Sequence, residues 1–255
     1  MPFVVVKSRL LKFAFIVLIT AVMLCVSING TRAASVFFGY APKNHAIYAV
    51  DRSNNEISLT FDAAWGADKT IAIVDLLKKY NIKATFFLVG FWVEKYPEET
   101  KYIVDSGMEI ASHSNSHPDM TKLSVDDIKL ELNTAKKTIK DTANVDVSLF
   151  RPPFGYYNDK LLSIATDLGY KTIKWSVDTH DWMGKSVEYI ANRVTSKISS
   201  GGIILFHNNS KNVIEATTVV IESLLVKGYK FVTIGELVYA DNYYIDRTGL
   251  QRKNV

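Results

Sequence analysis

The stretch EISLTFDAAWG, residues 56–66, decides the fold. It starts as a run of β-branched and apolar residues, which is typical of a buried strand. The run ends in a single carboxylate, Asp62, and two alanines, Trp65 and Gly66 follow it without another polar side chain. This pattern predicts a core strand that presents one acid at its tip.

Strand-like and helix-like segments alternate along the rest of the chain. Further strands are predicted at 84–90, 109–114, 147–153, 171–178, 202–208 and 230–237. Helices are predicted at 67–80, 124–144, 158–169, 186–200 and 212–228, with Asp68 and Ser124 as N-caps. This alternation predicts parallel strands covered by helices, and seven strands favour an irregular, incomplete (β/α) barrel of the α/β class.

Residues 1–33 have the pattern of an export segment. Lys7, Arg9 and Lys12 precede an uncharged apolar run at 13–28, and the small residues before Ala34 suit signal cleavage. The run has an intermediate length, so both a cleaved signal peptide and an uncleaved membrane anchor over residues 7–28 fit it. In either case we expect the domain at 34–255, with a core at about 56–237, to be exported.

The exported part is close to electrically neutral. The leader carries four of the 30 basic residues and no acidic one, which leaves 26 basic against 26 acidic residues. This balance excludes the basic surface of a nucleic-acid-binding protein. The single cysteine, Cys25, lies in the leader, so no disulfide is expected to hold the domain together.

Chemically active side chains follow five of the predicted strands. They are Asp62, His113, Arg151, Asp178 and His207. In parallel α/β barrels the active site forms at the carboxyl ends of the strands. We therefore expect these side chains to meet at one end of the barrel.

The sequence HSNSH, with His113 and His117, suggests a metal site. Imidazole is a common zinc ligand, and a separation of four places both rings on one side of a strand or a helix. Two unrelated surface or core histidines are the alternative. Their position at a strand exit favours the metal site over that alternative.

Three further motifs each allow an ordinary explanation as well. In FRPPFGYY, the two prolines hold Phe154 in a defined turn whose N–H could receive an oxyanion, or the segment is a simple Pro-Pro turn beside a surface Arg151. WSVDTHDW places Asp178 and Asp181 three residues apart, and ILFHN places His207 after an apolar strand, with capping aspartates and a histidine satisfied by backbone hydrogen bonds as the alternatives.

Five of these segments together resemble the polysaccharide deacetylase family, which is carbohydrate esterase family 4 or the NodB-homology domain. They are TFDAAWG, HSNSH, RPPFG, DTHDW and LFH, they come in the family's order, and they span about Glu56 to Leu237. The Trp-Gly form of the first segment is similar to that of the spore-associated, PdaB-like branch.

The resemblance implies metal-dependent removal of acetyl groups from N-acetylglucosamine units of peptidoglycan or another spore or cell-wall glycan. It implies a divalent metal, zinc above all, on His113 and His117. Carried over by position, the catalytic residues are Asp62 as general base, Arg151 orienting it, His207 as general acid and Asp181 tuning His207. The family's substrate pocket falls on Phe154, whose N–H holds the oxyanion, and on Trp182 and Leu205.

One position departs from the family pattern. The base is usually followed by a second aspartate that binds the metal, and here that residue is Ala63, which cannot coordinate anything. Asp68 is a candidate replacement ligand, unless it only caps the following helix. Two functions therefore stay open, an active deacetylase with weak metal binding and an inactive glycan-binding or assembly protein on the same fold.

Overall fold

The predicted core strand forms the centre of the sheet. In the computed structural model, which describes residues 45–254, strand β2 (Glu56–Ala63) pairs in parallel with β3 (Thr85–Leu88) and β8 (Ile203–His207). Every residue of β2 after Glu56 is buried, because helices cover one side and the barrel interior lies on the other. Its Phe61 stacks on Phe86 and also contacts Phe206.

The remaining strands of this sheet extend it on both sides of β2, and all of them are parallel. They are β4 (Glu109–Ser112), β5 (Leu149–Phe150), β6 (Lys171–Thr172), β7 (Val177–Asp178) and β9 (Lys230–Phe231). The order is β6-β5-β4-β3-β2-β8-β7, and β9 pairs with the start of β2. The predicted α/β fold with about seven parallel strands is confirmed.

The order of the strands shows that the sheet must curl. The two outermost strands, β6 and β7, are joined by residues 173–176, which span at most about 18 Å. A flat sheet would separate the outer two of seven strands by about 29 Å. The curled sheet brings β6 and β7 towards each other, and we call the line between these two edges the seam. It is bridged by the chain before β2, where Ile47 pairs with Ile173 and Ala49 with Gly202.

Helices follow most of the strands and pack on the outside of the sheet. They are α1 (Thr70–Lys79), α2 (Gly90–Lys95), α3 (Pro97–Asp105), α4 (Val125–Ala143), α5 (Asp159–Asp167), α6 (Val187–Lys197), α7 (Val213–Val226) and α8 (Ile234–Leu237). The predicted cap at Ser124 is confirmed, since its hydroxyl accepts a hydrogen bond from the N–H of Asp127. The predicted cap at Asp68 is wrong, because the N-cap of α1 is Lys69 and no side chain caps that helix.

Two predicted strands are interrupted in the structure. The segment 230–237 is a strand only to Phe231, because Thr233 and Glu236 form a capping box that starts α8. The segment 171–178 contains two separate strands, β6 and β7, on opposite edges of the sheet. Helices α2 and α3 were not predicted.

A second, three-stranded sheet lies beyond the predicted core of 56–237. It consists of β1 (Ala49–Val50), β10 (Tyr243–Ile245) and β11 (Leu250–Lys253), in the order β1-β11-β10. β1 thus pairs the segment that bridges the seam with β11 near the C-terminus. The proposed leader at 1–33 lies outside the described residues, and none of the helices within 45–254 has the length and apolarity needed to cross a bilayer.

We expect Gly201→Ala to destabilise the fold because Gly201 lies at the seam. Its φ is +77°, its carbonyl accepts the N–H of Val50, and an added Cβ would overlap the carbonyl oxygen of Val50. The control is Gly228→Ala, at a φ of +78° with open space around it.

The control isolates the cost of positive φ, which is about 1 kcal/mol. Gly201→Ala should cost about 1–3 kcal/mol more than the control in urea unfolding, since that is the usual cost of overpacking. Equal costs in the two variants would show that the seam does not need this close approach.

Candidate active site

A cavity of about 590 Å³ opens at the carboxyl ends of the strands. The structure brings most of the sequence-predicted site residues to it, as well as several that were not predicted. Its lining includes Asp62, Trp65, His113, His117, Phe154, Trp175, Asp178, Trp182, Leu205, His207 and Ser210. The parallel arrangement explains this gathering, because each of these strands ends at the same edge of the sheet.

Asp62 and Arg151 form a buried ion pair at the floor of the cavity. Nη1 of Arg151 donates to Oδ1 of Asp62 at 2.6 Å, and the two side chains are 0% and 6% exposed. Burial, the largest single effect, would raise the pKa of Asp62, but the guanidinium of Arg151 together with the neighbouring His113 and His207 outweighs it and holds this pKa below its usual range. Asp62 is therefore ionised at neutral pH, as the prediction of a base requires.

His113 has a defined tautomer. Its Nδ1 lies 2.8 Å from the carbonyl oxygen of Arg151, which can only accept, so Nδ1 carries the proton. Its Nε2 is then an unprotonated nitrogen 3.5 Å from Oδ2 of Asp62. Burial lowers the pKa of His113, which keeps the ring neutral. Metal-binding histidines typically show this pattern, with the other ring nitrogen donating to a backbone carbonyl.

His117 lies next to His113 and is enclosed by aromatic rings. The centres of the two imidazoles are 4.9 Å apart, and the rings of Trp65 and Phe154 pack edge-on at 4.8 and 4.6 Å. Burial, above all, lowers the pKa of His117 to about 4. Its Nδ1 is buried and has no hydrogen-bond partner among the described residues. Buried polar atoms are normally paired, so this nitrogen is a candidate metal ligand.

The loop between the two histidines is held by helix α4. Oε2 of Glu131 accepts the N–H groups of Asn115 and Ser116, each at 2.8 Å. His117 has a φ of +58°, which is unusual for a non-glycine residue, and its N–H is bonded by the Ser114 hydroxyl. Helix α4 thus fixes the backbone that carries His117.

These residues fit a divalent metal only in part. His113 and His117 supply two unprotonated nitrogens, whereas a catalytic zinc site typically has three protein ligands. Neither Ala63, which is fully buried in the core at the end of β2, nor Asp68 is among the residues that line the cavity. Within residues 45–254, no group of three or more His, Cys, Asp or Glu side chains is placed to hold a metal, so the structure does not bring Asp68 into such a group.

On the opposite side of Asp62, His207 pairs with Asp181. Asp62 at the end of β2 and His207 at the end of β8 occupy directly paired positions. Nδ1 of His207 lies 2.8 Å from Oδ1 of Asp181. Oδ2 of Asp181 accepts the His207 N–H and the Ser210 hydroxyl. Burial alone would lower the pKa of His207, but the Asp181 carboxylate raises it above its usual value.

Phe154 lies in a tight turn above the histidines. Phe154 has a φ of +58° and Gly155 of +71°, and the N–H groups of Gly155 and Tyr156 donate to Pro152 and Pro153. No acceptor for the Phe154 N–H is found in the described part of the chain. This leaves it available for the oxyanion that the resemblance assigns to it.

The cavity has an apolar wall. Leu205 lies on its floor, and Trp182 is 62% exposed at its rim, as the resemblance implies. Trp65 was missed as a site residue, although the sequence places it three residues after Asp62. It is 63% exposed, and Gly66 next to it is held through its carbonyl by Trp92 Nε1 and Asn208 Nδ2. His180, which lies in the WSVDTHDW motif between Asp178 and Asp181, does not line the cavity.

Comparison with known proteins identifies relatives of this chain. Residues 49–173 match the polysaccharide deacetylase family. A peptidoglycan-N-acetylglucosamine deacetylase from Bacillus cereus is 33% identical over 202 residues, which are 77% of this chain and 94% of the relative. The deacetylase PgdA from Listeria monocytogenes is 32% identical over 222 residues, covering 85% of this chain but 47% of the relative, so the chain spans about half of its length.

Solved structures include a relative that is described as a pseudoenzyme. This carbohydrate esterase family 4 pseudoenzyme from Bacillus anthracis has a TM-score of 0.74 and 36% identity, covering 78% of this chain and 70% of that one. A mutant of it is described as having restored enzymatic activity, with a TM-score of 0.73 and 38% identity over 78% of this chain and 72% of that one. The fold, the site and these relatives together show that the chain belongs to the polysaccharide deacetylase family, carbohydrate esterase family 4.

Proposed function

We propose that this protein is a hydrolase that removes N-acetyl groups from N-acetylglucosamine units of a cell-wall or spore glycan. One observation carries the proposal: two titratable side chains face the same cavity with pKa values moved in opposite directions. The lowered pKa of Asp62 favours its ionised form, and the raised pKa of His207 favours its protonated form. Such a divergence is the arrangement that a general base and a general acid require.

The residues can divide the reaction between them. Arg151 occupies Oδ1 of Asp62, which leaves Oδ2 to take a proton from water as the water oxygen attacks the acetamide carbon. The Phe154 N–H donates to the carbonyl oxygen as it gains negative charge. His207 then gives the proton on Nε2 to the departing amine nitrogen, the carbon–nitrogen bond breaks, and acetate and the free amine result.

A divalent metal on His113 and His117 would supply Lewis-acid chemistry and a lower pKa for water. Asp62 alone is a weak base, because its pKa lies below the usual value. The absence of a carboxylate at Ala63 therefore weakens the step that Asp62 starts. Weak metal binding is part of this proposal.

Several features support the choice of substrate and location. The Bacillus cereus and Listeria relatives are named peptidoglycan-N-acetylglucosamine deacetylases. The Trp-Gly form of the first motif supports a role in spore formation, and the basic and apolar pattern of residues 1–33 supports export, with membrane contact only if that segment is retained. The near-neutral charge of residues 34–255 supports a glycan partner rather than nucleic acid.

A second function, binding of the glycan without hydrolysis, is favoured by one specific observation. Ala63 leaves two imidazoles as the protein ligands, and a relative with the same fold is described as a pseudoenzyme. Retention of Asp62, Arg151, Asp181 and His207 around one cavity favours the hydrolase, because glycan binding requires neither an acid nor a base.

We expect the protein to release acetate from peptidoglycan when divalent metal is added, and Asp62→Asn to abolish this. Asparagine keeps the shape but cannot take a proton, and loss of a general base costs about 10²–10⁴-fold in rate. Acetate is measured by an enzyme-coupled assay, with the exposed Asp105→Asn as matched control. No acetate from the wild-type protein together with tight glycan binding would support the second function instead.

We expect Ala63→Asp to tighten metal binding at least tenfold, because the family resemblance puts a metal-binding aspartate at this position, as a third protein ligand with His113 and His117. Isothermal titration with zinc measures this without any need for activity. The control is Ala63→Asn, which has nearly the same size but no charge. Unchanged affinity in Ala63→Asp would mean that this position does not face the metal.

We expect Asp181→Asn to lower the pKa of His207, because the carboxylate that raises it is lost while the burial that lowers it remains. The wild-type histidine should lose its proton above pH 6.5, and the variant at lower pH. NMR titration of the His207 imidazole gives both values. The control is Ser210→Ala, which keeps the Asp181 charge, so the pKa of His207 should stay above that in Asp181→Asn. An equal His207 pKa in the wild-type protein and in Asp181→Asn would contradict the pairing of His207 with Asp181.

A further inference from the structure

Lys174 is a buried lysine that the chemistry described above does not use. It lies between β6 and β7, is 8% exposed, and forms no salt bridge with a carboxylate among the residues of the described range. Burying an ammonium group without a counter-charge is costly, so its place in the structure needs a cause. Burial, followed by repulsion from Arg151, lowers the pKa of Lys174 to about 8, and the group is still mostly charged at neutral pH.

The ammonium is held by the turn that carries Phe154. Its Nζ donates to the carbonyl oxygen of Gly155 at 2.8 Å and lies 3.9 Å from the ring centre of Trp175 and 5.5 Å from that of Tyr48. Gly155 allows this approach, because an added Cβ would overlap Nζ. The lysine thus connects two aromatic faces to the backbone of the turn.

The turn needs such support. Phe154 and Gly155 both have positive φ, and a non-glycine residue in this region is strained. Within the turn, the N–H groups of Gly155 and Tyr156 donate to the carbonyls of Pro152 and Pro153, while Lys174 Nζ is the only donor to the Gly155 carbonyl among residues 45–254. The Gly155 carbonyl shares a peptide plane with the Tyr156 N–H, which donates to the Pro153 carbonyl. The Pro153 carbonyl in turn shares a peptide plane with the Phe154 N–H, so the bond from Lys174 acts on the direction of that N–H through two linked planes.

Lys174 also contacts the other half of the site. Its backbone carbonyl accepts a hydrogen bond from Nη2 of Arg151 at 3.0 Å, and Nη1 of the same guanidinium holds Asp62. One residue therefore connects the support of the base to the turn of the oxyanion donor.

We propose that Lys174 is a positioning residue that holds the Phe154 turn so that its N–H faces the reacting carbonyl. The inference rests on the proposed function, since the oxyanion role belongs to it. A donor fixed before the reaction needs no reorganisation as charge develops, which is where such donors gain their effect. Lys174 acts through Phe154 and has no contact with the reacting atoms.

The test is Lys174→Met, which keeps the length of the side chain and removes the ammonium. Lys136→Met is the matched control, because Lys136 is a half-buried lysine over the ring of Tyr170 on helix α4. Acetate release gives kcat and KM, and amide hydrogen exchange by NMR reports opening of the turn at Gly155 and Tyr156.

In Lys174→Met we expect kcat to fall about tenfold with KM unchanged, since only transition-state binding is affected. Exchange at Gly155 and Tyr156 should rise about tenfold, and the control should change neither. A raised KM with normal kcat, or unchanged exchange, would overturn the proposal. If the wild-type protein releases no acetate, the proposed hydrolase fails, while the exchange rates still decide whether Lys174 holds the turn.

A measurement on the unaltered protein keeps the proposal testable if Lys174→Met does not fold. The NMR order parameter of the Lys174 ammonium should be well above that of Lys136, because one is bonded to Gly155 and the other reaches solvent. Equal order parameters would overturn the proposal.

Discussion

The ion pair between Asp62 and Arg151 is the interaction on which the rest of the site depends. Arg151 is fully buried, with Nη1 on Asp62 and Thr60, Nη2 on the carbonyl of Lys174, and its guanidinium 3.9 Å from the ring centre of Phe87. Such pairs seldom stabilise a fold more than apolar residues of the same volume would. The role of Arg151 here is orientation. Its Nη1 holds Asp62, and its backbone carbonyl fixes the tautomer of His113.

The two sides of the cavity differ in charge for a simple structural reason. Asp62 and His207 occupy paired positions on adjacent parallel strands, so their side chains leave the sheet together. Arg151 faces one of them and Asp181 faces the other, which moves the two pKa values in opposite directions. The opposite pKa shifts on which the proposed acid–base pair depends therefore come from the charged partner of each residue rather than from the residue itself.

The metal side of the site is less complete than the acid–base side. His113 and His117 have the protonation state and the loop support that ligands need, yet Ala63 offers no third donor. The turn of Phe154 and Gly155 is supported from behind by Lys174, which has no role in the family resemblance. The proposed catalytic groups are thus held in place, and the proposed metal site lacks the carboxylate that the family has at the position of Ala63.

The sequence alone determined the parallel α/β fold and the strand ends at which the site forms, because hydrophobic periodicity and strand–helix alternation are local properties. It also predicted Asp62, His113, Arg151, Asp178 and His207 at one edge. It could not show that 171–178 splits between two edges, since closure of the sheet depends on pairing across the seam. Nor could it show Trp65 over His117 or Lys174 against Gly155, because these contacts join distant segments. Only the tertiary structure decided the pKa shifts, because burial and the charges facing each group exist only after the strands have come together.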